Sequence, residues 1–84
     1  MKVHELKTWT YFFACIRNQS KKFEVRKNDR DFQPFDVLHL REWNPEKEKY
    51  TGRSCLVKVD HVLLGGEFGI EEDYVVMSID LMKP

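Results

Sequence analysis

The sequence predicts one small α+β domain, mainly β, in which a curled and mostly antiparallel sheet or barrel is covered at one end by an N-terminal helix. Two observations predict this class. One early segment has the apolar spacing of a helix, and the segments after it alternate apolar and polar residues between turn signals. This order of elements argues against a doubly wound α/β fold, which needs crossover helices between its strands. We therefore treat residues 1–84 as a single domain.

The first predicted elements are a short strand over residues 3–6 and a helix. Thr8 is the predicted N-cap of the helix, and Asn18 is the predicted stop. Between them, four large apolar residues follow the i, i+3, i+4, i+7 spacing of a helix face that packs on a core: Trp9, Phe12, Phe13 and Ile16. This aromatic stripe is therefore predicted to be part of the core.

Four further strands are predicted, at residues 21–26, 36–43, 54–64 and 74–81. Turn residues separate them, including Pro34 and the pair Gly65-Gly66. Because side chains alternate along a strand, one set is predicted to face the core: Phe23, Val25, Leu38, Leu40, Cys55, Val57, Val59, Leu63, Val75, Met77, Ile79 and Leu81. The opposite face of the first of these strands then carries charged residues: Lys22, Glu24 and Arg26.

The composition excludes a strong overall electrostatic attraction to polyanions. Fourteen basic and fourteen acidic residues give a formal net charge of zero, so any binding to nucleic acid must come from a local patch. The chain begins without an apolar signal segment and contains no apolar run long enough to cross a bilayer. We therefore expect a cytoplasmic protein that does not associate with membranes.

The cysteines and histidines do not predict a metal site. Cys15 and Cys55 lie in apolar segments and lack a second ligand at zinc-like spacing, so we expect free thiols. The histidines are far apart in sequence and share no ligand spacing: His4, His39 and His61. No metal and no cofactor is predicted.

The segment over residues 21–32 is the main candidate for a functional site. It interleaves apolar residues with many charges of both signs and contains a local basic patch: Lys21, Lys22, Arg26, Lys27 and Arg30. A strand with a charged face is a rigid support for a polar-ligand site. A solvated edge strand whose charges prevent aggregation has the same composition. The pattern alone leaves both interpretations open and does not name a ligand.

Lys21 and residues 23–32 resemble the signature of a small ASCH-related family with a PUA-like barrel, whose members are often described as RNA-binding. Further matching pieces occur at residues 4–7, 40–43, 50–53, 65–70 and 74–77. In wider ASCH proteins the helix precedes a Gly-x-Lys-Thr-x-x-x-Arg pattern that lines a cleft between helix and barrel. Lys21 and Arg26 match its lysine and arginine, while Gln19 and Lys22 replace its glycine and threonine. The resemblance implies a PUA-like fold with a polar cleft beside the helix.

The resemblance also implies that RNA or a nucleotide binds in this cleft. In this hypothesis Arg26 pairs with a phosphate or a base edge, and Glu24 or Glu67 accepts a hydrogen bond from an exocyclic amine. Trp43 or Tyr74 stacks on a base. The alternative is a cross-strand ion pair between Glu24 and Arg26, with Trp43 completing the core. The predicted ligand-binding residues are Lys21, Lys22, Glu24, Arg26, Lys27, Arg30, Arg41, Trp43 and Tyr74.

Two other functions stay open at this point. Some ASCH proteins of similar size are amidohydrolases that deacetylate N4-acetylcytidine with the cleft lysine, a threonine three residues later and a glutamate. That resemblance assigns Lys21 and, at the threonine position, Glu24 as catalytic residues, and we place the glutamate at Glu67 because of the Gly65-Gly66 break. Since a carboxylate does not replace a hydroxyl as acyl acceptor, the reaction would use a water activated by a glutamate. The third hypothesis is a protein-interaction adaptor that uses the surface of residues 21–31.

Overall fold

The computed structural model describes residues 1–83. Its elements in chain order are β1 (Val3–Trp9), α1 (Thr10–Arg17), β2 (Phe23–Lys27), β3 (Val37–Asn44), β4 (Lys49–Leu64) and β5 (Tyr74–Leu81). The strands form one five-stranded sheet in the order β1-β3-β4-β5-β2. β1 is parallel to β3, and the other neighbouring strands are antiparallel. The sheet curls into a half-barrel beside one short helix, so the predicted mainly-β class is confirmed.

The core lies between the strands of the curled sheet and α1. The alternation predicted for β3, for the first half of β4 and for β5 is confirmed, because the inward residues of these strands are buried or, for Cys55 and Leu81, partly buried against the core. Two further side chains extend this core from outside the sheet, Ile16 on α1 and Phe32 in the connection from β2 to β3. The buried core residues are Leu6, Ile16, Phe32, Leu38, Leu40, Val57, Val59, Val75, Met77 and Ile79.

The start of α1 differs from the prediction. β1 continues through Thr8 to Trp9, because these residues stay in register with β3. Thr8 is therefore a buried strand residue, and Trp9 is the N-cap without a side-chain capping bond. The hydroxyl of Thr10 instead donates to the carbonyl oxygen of Trp43 at 3.1 Å, which ties the start of the helix to β3. The predicted end is confirmed, since Asn18 is the C-cap.

The inward face of β4 changes along the strand. The register with β5 shifts between Val59 and His61, which is a β-bulge. One extra residue reverses the side-chain alternation beyond that point, so Val62 packs against the core. The prediction that Leu63 faces inward was therefore wrong.

The two faces of β2 are also the reverse of the prediction. Phe23 and Val25 are 48% and 50% exposed, whereas Glu24 is only 3% exposed. The register explains this result, because Glu24 pairs with Met77 and Arg26 pairs with Val75, both of which point into the core. Alternation correctly indicates two different faces, but it does not indicate which of them is buried.

β1 and β2 are the two edge strands, and arginine side chains bridge the gap between them. Nη2 of Arg26 donates to the carbonyl oxygen of Lys7 at 2.9 Å, and Nη1 of Arg30 donates to that of Glu5 at 2.7 Å. These carbonyl groups belong to an edge that has no neighbouring strand on this side. Side-chain hydrogen bonds thus partly close the half-barrel where a strand ladder is absent.

The opposite end of β1 is fixed by a buried carboxylate. Asp36 accepts hydrogen bonds from the backbone N–H groups of Lys2 and Gln33, and it contacts Nε2 of His4 at 2.9 Å. Burial raises the pKa of Asp36, but these hydrogen bonds together lower it below its usual value of 3.8. Within residues 1–83, no helix is both long and apolar enough to span a membrane.

Candidate functional site

A cavity of about 700 Å³ lies between α1 and the edges of β1 and β2. It is the larger of two cavities that we consider in residues 1–83, the other being about 190 Å³. Its lining is contributed by four consecutive parts of the chain: residues 7–9 of β1, then Tyr11, Phe12 and Cys15 of α1, then Ser20 and Lys21, then residues 23–26 of β2. The cleft that the sequence predicts beside the helix is therefore present as a cavity.

Lys21, Glu24 and Arg26 form a hydrogen-bonded cluster in this cavity. Nζ of Lys21 donates to Oε1 of Glu24 at 2.5 Å, and Nε of Arg26 donates to Oε2 of Glu24 at 2.8 Å. Nζ of Lys21 also donates to the carbonyl oxygen of Phe23 at 2.7 Å. A carboxylate that is nearly fully buried is thus compensated by one cation on each oxygen. The ion pair between Glu24 and Arg26 of the alternative prediction is therefore present, but it lies within β2 and does not join two strands.

Aromatic side chains surround this polar cluster. Trp9, Phe12 and Phe23 are 53%, 44% and 48% exposed, and Tyr11 is exposed as well. Nζ of Lys21 lies 4.9 Å from the ring centroid of Phe23 and 5.6 Å from that of Phe12. The cavity therefore combines apolar ring surface with charged hydrogen-bonding groups, as small-molecule sites commonly do.

The prediction that the whole helical stripe belongs to the core was wrong for Trp9 and Phe12. Phe13 and Ile16 are buried, but Phe12 lines the cavity. A signal for this was present in the sequence. Three consecutive aromatic residues on a helix, Tyr11, Phe12 and Phe13, are spread over about 200° around its axis, which is too wide for a single core-facing stripe.

The other predicted residues of the basic patch lie around this cavity rather than in it. Lys22 is exposed. Nζ of Lys27 lies 3.8 Å from Oδ2 of Asp73, and both of these side chains are exposed. Arg30 and Lys27 line the smaller cavity together with Arg26. Tyr74 is half-buried opposite Lys27 and does not line the larger cavity.

The structure does not bring Glu67 to Lys21 and Glu24. Glu67 is exposed in the turn between β4 and β5, where its carbonyl oxygen accepts a hydrogen bond from the N–H of Ile70. It lines neither cavity. The glycine pair before it has a turn role, because a Cβ on Gly65 would collide with the backbone of Glu71.

Arg41 and Trp43 lie on the outer face of the sheet, outside the cavity. Trp43 is the middle member of a row of three aromatic residues in register across β1, β3 and β4. We name this row the aromatic shelf: Trp9, Trp43 and Tyr50. Cζ of Arg41 lies 3.9 Å from the ring centroid of Tyr50. Trp43 is half-buried on this face and is not a member of the core cluster.

Sequence reasoning also missed the buried carboxylate of Glu42. It is fully buried and accepts two hydrogen bonds from Arg53, at 2.7 and 3.0 Å, and one from the hydroxyl of Thr51 at 2.7 Å. The bonds from Arg53 lower the pKa of Glu42 below its usual value of 4.5, against the opposing effect of burial. Cζ of Arg53 lies 5.7 Å from the ring centroid of Phe13. This cluster therefore places a cation near the buried ring of Phe13 on α1.

The thiols, imidazoles and carboxylates do not form a metal site in the residues that the structure describes. No cluster of three or more His, Cys, Asp or Glu residues in the part of the chain that the structure covers is arranged to hold a metal ion. Cys15 and Cys55 are free and half-buried, and burial raises the pKa of the Cys55 thiol. The groups that line the cavity thus include the thiol of Cys15 beside its cations, its carboxylate and its aromatic rings.

Comparisons with known proteins place the chain in a family. The sequence is 32% identical over 76 residues to an uncharacterised 12.9 kDa protein of Escherichia phage P2, and the match covers 90% of this chain and 66% of the phage protein. The chain thus spans slightly less than two thirds of that relative. The crystal structure of hypothetical protein PH0355 shares the fold, with a TM-score of 0.69, 18% identity and coverage of 98% of this chain and 100% of the other. A family model for a domain of unknown function, DUF3850, matches residues 3–79, so this chain belongs to the DUF3850 family.

Proposed function

We propose that the chain is a binding module for RNA or a nucleotide, with the cavity between α1 and the edge strands as its binding site. The observation that carries the proposal is the position of the Lys21, Glu24 and Arg26 cluster inside a rim of exposed aromatic rings. Unpaired bases in protein complexes stack on aromatic rings and form hydrogen bonds through their edges. The cavity provides groups for both kinds of contact.

The size of the cavity supports this assignment. Pockets that bind small molecules commonly enclose about 300–1,000 Å³, and the cavity of about 700 Å³ lies within that range. A single nucleotide fits this scale, whereas a duplex does not. The proposed ligand is therefore an unpaired nucleotide, alone or within a single strand.

The cluster keeps hydrogen-bonding capacity for a ligand. A carboxylate has about four acceptor sites, and Lys21 and Arg26 each use one on Glu24. The remaining sites can accept hydrogen bonds from base amino or imino groups. Lys21 has three donors, of which two are used within the cluster, so one is available for a phosphate or a base acceptor.

The test is the binding of a labelled single-stranded RNA of about 12 nucleotides, measured by fluorescence anisotropy between about 50 and 200 mM salt. We expect Lys21→Ala to weaken binding and to reduce the salt dependence by about 0.7 per lost phosphate contact. Phe12→Ala should lower the affinity about tenfold without changing the salt dependence, because stacking releases no counterions.

Matched controls make this test specific. Lys47→Ala removes one charge from the connection between β3 and β4, and Phe68→Ala removes a ring that is 83% exposed in the β4–β5 turn. Both controls should bind as the wild type does. Equal losses in the cavity variants and in their controls, or no binding by the wild type, would overturn the proposal.

The contact between Lys21 and Glu24 favours a second candidate, a small amidohydrolase that acts on an acylated nucleoside such as N4-acetylcytidine. In this proposal Glu24 removes a proton from water, the resulting hydroxide attacks the acetyl carbonyl carbon, and Lys21 stabilises the oxyanion. Collapse of the intermediate breaks the C–N bond, and the departing nitrogen takes up the proton that Glu24 removed from water. The products are cytidine and acetic acid, which releases its proton to solvent as acetate. The supporting observation is the 2.5 Å separation of the two groups at the cavity wall.

Chromatographic detection of cytidine from N4-acetylcytidine tests this second candidate. We expect turnover by the wild type and by Lys47→Ala, and none by Lys21→Ala. Absence of turnover by the wild type, or equal turnover by Lys21→Ala, removes the enzyme proposal and leaves the binding proposal unaffected.

A further inference from the structure

The aromatic shelf continues from the rim of the cavity across the outer face of the sheet. Trp9 pairs with Trp43 across β1 and β3, and Trp43 pairs with Tyr50 across β3 and β4. Neighbouring strands are about 4.8 Å apart, so these side chains are adjacent on one face. The rings of Trp43 and Tyr50 contact each other edge to face, with their centroids 5.0 Å apart. The register therefore places the three aromatic side chains in one row, and the rings of Trp43 and Tyr50 are in contact.

The shelf and the cavity share residues. Trp9 belongs to the shelf and also lines the cavity, as does Lys7. Nζ of Lys7 lies 3.9 Å from the ring centroid of Trp43. A ligand in the cavity that extends past β1 consequently reaches the shelf without leaving the protein surface.

The charges along this path have an excess of cations. The cations that contact the cavity and the shelf are Lys7, Lys21, Arg26 and Arg41, and the carboxylates paired with them are Glu5 and Glu24. Four positive and two negative charges leave a local charge of +2, whereas the whole chain has a formal net charge of zero. The local excess is complementary to a phosphate backbone.

We propose that the ligand is a single-stranded RNA longer than one nucleotide, with one base in the cavity and the following bases stacked on the aromatic shelf. This inference rests on the proposed function, because the cavity must first bind a base. Aromatic rings on the exposed face of a sheet stack two or three bases in a common class of RNA-binding domains. The partly exposed rings Trp9 and Tyr50, at 53% and 38%, offer the same kind of surface on adjacent strands.

The two tryptophans of the chain allow cavity and shelf to be observed separately. Trp9→Phe keeps a ring at the cavity rim and leaves Trp43 as the fluorophore of the shelf. Trp43→Phe leaves Trp9 as the fluorophore of the rim. Each variant is titrated with uridine 5′-monophosphate and with a single-stranded RNA of about 6 nucleotides. We expect both ligands to change the emission of Trp9, and the RNA alone to quench Trp43.

A third variant measures the contribution of the shelf to affinity. Tyr50→Ala should weaken binding of the RNA about tenfold and leave binding of the mononucleotide unchanged, because one stacked base is lost outside the cavity. Trp43 emission that does not respond to the RNA, or that responds equally to the mononucleotide, overturns the inference. In either case a response of Trp9 preserves the proposed function. If neither ligand binds, the proposed function fails and the inference fails with it.

Discussion

Replacement of Arg26 by methionine is predicted to destabilise the folded protein. The guanidinium donates to Oε2 of Glu24 at 2.8 Å and to the carbonyl oxygen of Lys7 at 2.9 Å. A third contact, with the hydroxyl of Thr8, is 3.4 Å long and therefore too long for a strong hydrogen bond. Arg26→Met keeps most of the apolar stem but removes both strong hydrogen bonds. It also leaves the buried carboxylate with Lys21 as its remaining cation.

The expected magnitude follows from these two bonds. A hydrogen bond to a charged group contributes about 1.5–3 kcal/mol, so the pair contributes about 3–6 kcal/mol before solvent is considered. The Arg26 side chain is 26% exposed, which weakens its interactions. We therefore expect a loss of about 2–3 kcal/mol in the free energy of unfolding. For a domain of this size the melting temperature should fall by roughly 10–20 °C.

Urea unfolding monitored by circular dichroism measures this loss, and Arg41→Met is the matched control. Arg41 donates to Oε1 of Glu5 at 3.0 Å, but these side chains are 37% and 58% exposed, so the control should lose less than about 1 kcal/mol. The double variant Arg26→Met/Glu24→Met should recover part of the lost stability, because it also removes the buried carboxylate.

Two results would refute the reasoning. The first is that Arg26→Met lowers the free energy of unfolding by no more than Arg41→Met does, while the slope of that free energy against urea concentration is the same in both variants. The second is a double variant whose loss equals the sum of the losses of Arg26→Met and Glu24→Met. That sum would mean that the two side chains are not energetically coupled.

Three further predictions concern other parts of the chain. Asp36 and Glu42 have lower pKa values in the folded than in the unfolded protein. Their ionised carboxylates therefore stabilise the fold above about pH 4.5, and this stabilisation is lost as the pH falls through the pKa values of the folded protein. The urea midpoint should consequently decrease when it is measured from pH 7 to pH 3. Gly65→Ala should lower the free energy of unfolding by at least about 2 kcal/mol in the same assay, because the new methyl group collides with backbone; wild-type stability would contradict this. Iodoacetamide should modify Cys15 in the cavity faster than Cys55, because burial raises the pKa of the Cys55 thiol. Bound RNA should slow the reaction of Cys15. Mass spectrometry measures both rates, and faster modification of Cys55 would contradict the assignment.

The sequence predicts the central strands well because their two faces lie in different environments. Leu38 and Leu40 alternate with His39 and Arg41, and the buried members are the apolar ones. The same reasoning fails for β2, where Glu24 is buried and Phe23 is exposed. β2 is an edge strand beside a cavity, so its inner face meets polar groups rather than a continuous core. The alternation of residues within β2 does not indicate whether a neighbouring strand is present on each side of it.

The candidate site was predicted in part. The sequence indicates that Lys21, Glu24 and Arg26 belong to one cleft, and the structure brings these side chains together. Their spacing within one segment makes this possible from sequence alone. The place of Trp43 depends instead on long-range pairing, since β1 joins β3 in parallel and Trp9 thereby becomes its neighbour. Glu67 was assigned from a glycine pair, whose role in the structure is that of a turn.

The side chain of Arg26 has two roles, because the hydrogen bond that bridges the edge strands β1 and β2 and the contact with Glu24 use the same guanidinium. Its guanidinium joins β1 to β2 through a carbonyl oxygen and also contacts the carboxylate at the cavity wall. A ligand that draws this group toward a phosphate therefore competes with the join between the strands. Ligand affinity and the rate at which the amide protons of β1 and β2 exchange with solvent should consequently change together in any variant of this residue.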